Sequence, residues 1–108
     1  MKIHLSLTAL AFGALAASSL SHAQTAPAQA LYTRSLAATC ANCHGTDGRA
    51  VQGSSVLPLA GLDKNYLVEQ MKAFKSGARP ATVMHQISKG YSDAQIDILA
   101  GYFAAQKK

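Results

Sequence analysis

The stretch Cys40-Ala41-Asn42-Cys43-His44 decides the fold, because everything around it must accommodate what these side chains bind. Cys-x-x-Cys-His is the spacing at which a c-type haem is attached covalently. Its two thiols lie one helical turn apart, so each can add to a vinyl group of the same porphyrin and form a thioether. The next residue, His44, can then ligate the iron through its imidazole. The motif therefore predicts one covalently bound haem c and a role in electron transfer.

Two other uses of paired cysteines agree less well with this sequence. A thioredoxin-like redox pair belongs in a βαβ context, and no segment here alternates apolar and polar residues as a strand does. A structural zinc site needs four protein ligands, whereas only Cys40, Cys43 and His44 are clustered. We therefore favour haem over a redox pair or zinc.

Residues 1–23 have the pattern of a secretory signal peptide. Lys2 precedes an apolar run over residues 5–17, and small residues stand before a predicted cleavage site after Ala23. The run is shorter than the roughly 20 residues that span a bilayer. We therefore expect a cytochrome-like domain over residues 24–108 that is exported to the periplasm and is not inserted in a membrane after cleavage. An uncleaved membrane anchor is the alternative.

The charge is moderately positive, with ten Lys and Arg against five Asp and Glu and a formal net charge of +5. Some lysines could surround an exposed haem edge and steer an acidic redox partner, or they could be ordinary solvated helix faces. The lysines in question are Lys64, Lys72, Lys75 and Lys89. The export signal and the lack of a binding motif argue against nucleic acid as a partner.

The pattern of apolar residues and caps predicts an all-α domain. We expect a disordered start over residues 24–29, an irregular loop over residues 45–61 that wraps the haem, and no strand. The predicted helices are 28–41, 64–76 capped by Asp63, 80–88 with Pro80 in its first turn, and 93–106 with a Ser92–Gln95 capping box.

Three residues are candidates for the second axial ligand: Met71, Met84 and His85. Met71 lies on the apolar stripe of the predicted second helix, where plain core packing would explain it. Met84 follows His44 by about 40 residues, enough for the chain to pass over the far face of the ring. A methionine thioether raises the reduction potential of the iron.

Two more residues have candidate supporting roles. The ring N–H of His44 needs an acceptor, and the carbonyl of Pro58 in the following loop is a candidate, although this proline could simply stiffen the loop. Arg79 could pair with a haem propionate, or it could be a solvated charge.

Several stretches together resemble the class I cytochromes c, in particular the small bacterial cytochromes of the c4 and c553 type. They are residues 40–45, 59–61, 66–77 and 99–103. Residues 79–93, Arg-Pro-Ala-Thr-Val-Met-His-Gln-Ile-Ser-Lys-Gly-Tyr-Ser-Asp, are similar to the cytochrome subunit of flavocytochrome c sulfide dehydrogenases.

The resemblance implies a single-domain class I cytochrome c fold, with helices wrapped around one covalent haem and the first and last helices crossing. It implies thioethers at Cys40 and Cys43, His44 as proximal ligand and Met84 as distal ligand. It also implies a non-catalytic haem subunit that accepts electrons from a flavoprotein sulfide dehydrogenase, with which it would form a heterodimer. The alternatives are a free c553-like carrier to a terminal oxidase or reductase, and a haem-based ligand-binding or sensor protein.

Overall fold

The computed structural model describes the backbone of residues 18–108 and the side chains of residues 25–108. The described chain divides into two units at the boundary between Leu31 and Tyr32. The helices are α1 (Ser18–Ala38), α2 (Ala41–His44), α3 (Lys64–Ser76), α4 (Met84–Ile87) and α5 (Asp93–Ala104), with 3-10 turns at Thr46–Gly48 and Ser88–Gly90. The described residues contain no strand, which confirms the all-α prediction.

Helix α1 differs from the prediction at both ends, because it begins at Ser18 and ends at Ala38. Residues 24–29, which we expected to be disordered, are helical. Alanine and glutamine have high helix propensity. Their preference for the helix outweighs the loss of the backbone hydrogen bond that Pro27 cannot donate. Residues 1–17 of the predicted leader lie outside the described residues, and the predicted cleavage site after Ala23 falls within α1.

Local side-chain hydrogen bonds set the starts of the two long helices of the second unit, as predicted. The Asp63 carboxylate accepts the Tyr66 N–H at 2.9 Å at the start of α3. At the start of α5, the Ser92 hydroxyl accepts the Gln95 N–H at 3.2 Å, and the Gln95 amide accepts the Ser92 N–H at 2.9 Å. Each bond satisfies a backbone donor that the first helical turn leaves without a partner. Helix α5 ends at Ala104, two residues before the predicted end.

One face of α5 supplies most of the core. The buried residues Ile96, Leu99, Ala100 and Phe103 are at most 3% exposed, and they form the stripe expected from the 3.6-residue period of a helix. The last three pack with Leu67 of α3 and with Ala37 near the end of α1. This small core fixes the end of α1, and therefore the position at which the cysteine motif begins.

The irregular segment between α2 and α3 is folded tightly onto α5 through Gly48. The carbonyl of Gly48 accepts the N–H groups of Leu59 and Ala60 at 2.8 and 3.1 Å, and the Gly61 N–H donates to Phe103 at 2.9 Å. Gly48 is buried with a φ of +76°, a conformation that glycine adopts without steric cost. The loop thereby closes back on the core without strands or a disulfide bond.

The third predicted helix is shorter than expected. Residues 80–83 are not helical; α4 begins at Met84, and a 3-10 turn replaces its predicted end. Pro80 therefore does not occupy a first helical turn. The β-branched residues Thr82 and Val83 lose side-chain freedom in a helix, and Val83 has no side-chain capping hydrogen bond. The result is a non-helical segment that leads the chain to Met84.

Candidate functional site

A cavity of about 360 Å³ opens beside the cysteine motif. This volume lies within the range of about 300 to 1,000 Å³ that is typical of pockets for organic ligands. Its wall is mainly apolar and is assembled from α3, α4, α5 and the loop between α2 and α3. The apolar lining residues are Val56, Leu57, Leu59, Leu62, Leu67, Met71, Phe74, Val83, Met84, Ile87, Leu99, Ala100 and Phe103.

Cys40, Cys43 and His44 all line this cavity, as the motif predicts. Cys40 caps the start of the one-turn helix α2, and the His44 N–H donates to the Cys40 carbonyl at 3.0 Å. Both cysteines are free thiols. Two free thiols one turn apart on the wall of an apolar cavity, with an imidazole directly after them, are the donor set that covalent haem attachment requires.

The two cysteines lie in different surroundings. Cys40 is half-buried and packs against the core, whereas Cys43 is exposed. Burial raises the pKa of the Cys40 thiol and the neighbouring Cys43 raises it further, while a hydrogen bond with Thr39 opposes the shift. Since the thiolate is the reactive form of cysteine, the unmodified Cys40 of the folded chain is held in its less reactive, protonated form.

The imidazole of His44 is oriented by the loop that follows α2. Its Nδ1 lies 2.7 Å from the Leu57 carbonyl oxygen. A carbonyl can only accept, so Nδ1 carries the proton and Nε2 keeps a lone pair for a metal. The prediction that Pro58 supplies the acceptor is wrong by one residue, because the loop backbone turns the Leu57 carbonyl towards the ring.

Of the three candidates for the second axial ligand, two line the cavity. They are Met71 of α3 and Met84 at the start of α4, both half-buried. His85 is not part of the wall, and its Nδ1 is buried with no hydrogen-bond partner among the described residues. The structure therefore brings Cys40, Cys43, His44 and Met84 to one cavity. It adds Met71, which the sequence suggested was plain core.

Arg79 is at the edge of the same cavity. Its guanidinium lies 4.7 Å from the centre of the Phe74 ring, and it donates a hydrogen bond to the Gln70 side chain. It forms no ion pair with any of the residues that the structure describes. A cation held at the edge of an apolar cavity is suited to a carboxylate, and the predicted pairing with a propionate stays a prediction.

Most of the lysines considered for partner steering are paired within the chain. Nζ of Lys64 lies 2.8 Å from a carboxylate oxygen of Asp97. The ammonium groups of Lys75 and Lys72 lie 3.0 and 4.0 Å from carboxylate oxygens of Asp93. Lys89 is exposed and has no ion pair among the described residues. Exposed pairs contribute little to stability, but they partly neutralise the surface, so the chain shows a weaker positive patch than its lysine content suggests.

The zinc alternative can be compared with the residues that the structure describes, whereas the apolar run of the uncleaved-anchor alternative, residues 5–17, lies outside them. Among the described residues, no group of three or more His, Cys, Asp or Glu side chains is placed to hold a metal ion, so the zinc alternative has no ligand set there. None of the helices over residues 18–108 combines the length and the apolar character needed to cross a membrane.

Comparison with known proteins identifies cytochromes and a dehydrogenase electron acceptor as relatives, although no protein-family model matches the chain. The chain is 40% identical over 74 residues to the cytochrome subunit of sulfide dehydrogenase from Chlorobaculum tepidum. This match covers 68% of this chain and 64% of that protein. The chain is also 36% identical over 87 residues to a thiosulfate dehydrogenase electron acceptor from Stutzerimonas stutzeri, covering 77% of this chain and 40% of that one. It therefore spans less than two thirds of the length of either.

A third relative is covered almost completely. The chain is 36% identical over 73 residues to cytochrome c-554(548) from Halomonas halodenitrificans, and the match covers 64% of this chain and 86% of that cytochrome. The match therefore extends well beyond the five residues of the haem-attachment motif.

Proposed function

Because this chain belongs to the class I cytochrome c family, we propose that it is a periplasmic single-haem electron carrier in which His44 and Met84 would ligate the iron. Members of this family bind haem c covalently and transfer electrons without catalysing a reaction themselves. When bound, the haem supplies one-electron Fe(II)/Fe(III) chemistry. The observation that carries the proposal is that free thiols at Cys40 and Cys43 lie with His44 on the wall of one apolar cavity.

Each residue of the proposed site has a distinct task. Cys40 and Cys43 hold the porphyrin through thioethers, so it cannot dissociate in either redox state. His44 is kept in one tautomer and one orientation by the Leu57 carbonyl. Met84 provides a soft thioether that favours Fe(II) and raises the potential. The apolar wall limits access of water, which further tunes the potential.

The proposed electron donor is the flavoprotein subunit of a sulfide dehydrogenase, with which the chain would form a heterodimer. Support comes from the similarity to a protein named as the cytochrome subunit of sulfide dehydrogenase, and from residues 79–93, which resemble such subunits. The predicted leader, residues 1–23, would direct export and would then be cleaved.

A second candidate is a diffusible carrier that serves an oxidase or reductase, or accepts electrons from another dehydrogenase. The chain covers 86% of cytochrome c-554(548), so a cytochrome of nearly this size exists as a whole protein. Another relative is named as the electron acceptor of thiosulfate dehydrogenase. The two candidates share the haem site and differ only in the partner.

The axial ligand is tested by comparing Met84→Ala with Met71→Ala, since both side chains line the cavity. We expect Met84→Ala to lower the reduction potential and to let the reduced protein bind carbon monoxide, because the sixth position becomes open. Met71→Ala should leave carbon monoxide binding unchanged. If Met84→Ala altered neither property, the assignment of this ligand would be wrong.

The partner is tested by gentle purification from the periplasm with a C-terminal tag. Flavin absorbance that co-purifies with the haem spectrum, together with reduction of the haem on addition of sulfide, would support the sulfide dehydrogenase complex. Haem absorbance without flavin, and no reduction by sulfide, would support the diffusible carrier instead.

A further inference from the structure

The segment that carries Met84 is tied across the cavity to the helix that precedes the cysteine motif. The hydroxyl oxygen of Tyr91 lies 2.7 Å from Oγ1 of Thr39, and the two residues are 52 positions apart in the sequence. Thr39 directly precedes Cys40, and both Tyr91 and Thr39 line the cavity with Met84. This contact therefore joins the cysteine side of the cavity to the methionine side.

The direction of this hydrogen bond follows from the other contact of Thr39. Its hydroxyl donates to the Leu36 carbonyl at 2.7 Å. A threonine hydroxyl has only one hydrogen, so in this arrangement Tyr91 donates to Thr39. A phenylalanine at position 91 keeps the ring and removes only this donor, which makes the contact accessible to a conservative substitution.

The backbone around Tyr91 continues the connection to Met84. The Tyr91 N–H donates to the Ser88 carbonyl at 3.3 Å, and the hydroxyl of the fully buried Ser88 donates to the Met84 carbonyl. On its other side, the Tyr91 carbonyl accepts from Nζ of Lys75 at 2.7 Å, and that ammonium also pairs with Asp93 at 3.0 Å. The Met84–Tyr91 segment is therefore anchored at α3 and at the end of α1.

We propose that Tyr91 is a positioning residue for Met84, which it holds at the cavity by donating to Thr39. The proposal rests on the proposed role of Met84 as axial ligand. A thioether is a weak ligand that leaves the iron when its segment moves away. Removal of the Tyr91 hydroxyl leaves this end of the segment held only through Lys75 of α3, so the open form becomes more populated and external ligands enter faster.

The test compares Tyr91→Phe with Tyr102→Phe in the haem-loaded protein. Tyr102 is not among the residues that line the cavity, and its hydroxyl donates to the Asp47 carboxylate, so this variant also loses one tyrosine hydrogen bond. The readout is the rate at which cyanide binds the oxidised protein, with Met84→Ala as the reference for an open position. Tyr91→Phe should raise this rate roughly two- to tenfold, the factor that corresponds to one lost hydrogen bond, and Tyr102→Phe should leave it unchanged.

Two further measurements separate positioning from a general structural role. Thr39→Val should raise the rate by a similar factor, and the Tyr91→Phe/Thr39→Val double variant should add little, because both substitutions remove the same bond. On warming, the charge-transfer band of the thioether-ligated ferric haem should disappear in Tyr91→Phe well below its unfolding transition. A band that persists until unfolding would overturn the inference.

Failure of this inference can be distinguished from failure of the ligand assignment. If Met84→Ala binds cyanide rapidly while Tyr91→Phe behaves like Tyr102→Phe, the positioning role is wrong and the ligand assignment stands. If Met84→Ala binds cyanide no faster than the unsubstituted protein, Met84 is not the ligand, and the positioning role is overturned with it.

Discussion

Replacing Gly48 by alanine should destabilise the loop that closes onto the core beside the cavity. The structure allows the loss in free energy of unfolding to be estimated. Gly48 has a φ of +76°, which is strained for any residue with a Cβ. An added Cβ would also lie 2.8 Å from the Phe103 ring, 2.9 Å from the backbone nitrogen of Ala60 and 2.9 Å from Cβ of Leu59. Two separate penalties therefore act at this position.

The two penalties have known sizes. A non-glycine residue in an unfavourable backbone region costs about 1–3 kcal/mol, and an overpacked core position costs about another 1–3 kcal/mol. We expect Gly48→Ala to lower the free energy of unfolding of the haem protein by about 2–6 kcal/mol, a large part of the roughly 5–15 kcal/mol typical of a domain. Because Phe103 lines the cavity, the reduction potential should shift as well.

Gly53→Ala provides the matched control for this prediction. Gly53 has a φ of +82°, but no atom lies within 4 Å of the position that an added Cβ would take. Gly53→Ala therefore isolates the backbone penalty, and it should lower the free energy of unfolding by only about 1–3 kcal/mol. Denaturant unfolding of both variants, followed by haem absorbance, gives the difference. Equal losses of stability would refute the inferred packing of Gly48 against Phe103.

Two other predictions concern stability. Ser92→Ala removes the hydroxyl that accepts the Gln95 N–H in the α5 capping box and should lower the free energy of unfolding by about 1 kcal/mol in denaturant titrations. The hydrogen bond from Tyr102 lowers the pKa of Asp47. The stabilisation that this hydrogen bond provides is therefore complete above the ordinary carboxyl pKa of about 4. It is lost as the pH falls through the lowered pKa of Asp47. Asp47→Asn should weaken this acid dependence of the thermal midpoint, and an unchanged pH profile would contradict it.

The features that local sequence determines were predicted correctly. The Cys-x-x-Cys-His spacing places three candidate side chains within about one turn, so no long-range information is needed to bring Cys40, Cys43 and His44 together. The caps at Asp63 and Ser92 depend only on a side chain and the backbone three residues later. Such short-range rules apply whatever the rest of the chain does.

The features that were missed depend on tertiary geometry. The carbonyl that holds His44 belongs to Leu57, and only the path of the loop backbone selects it over its neighbour Pro58. The hydrogen bond between Tyr91 and Thr39 joins residues 52 positions apart, and neither residue type nor spacing indicates it. Met71 lines the cavity because α3 faces the motif, which a helical stripe alone does not specify.

The central claim is that one haem is bound covalently to Cys40 and Cys43, and the intact mass of the denatured protein tests it most directly. Protein purified from the periplasm should have the mass of residues 24–108 plus one haem, and extraction with acidified acetone should leave the colour with the polypeptide. Replacing both cysteines by alanine should abolish the added mass. A chain with the mass of the polypeptide alone, or a haem that acid acetone removes, would contradict the account.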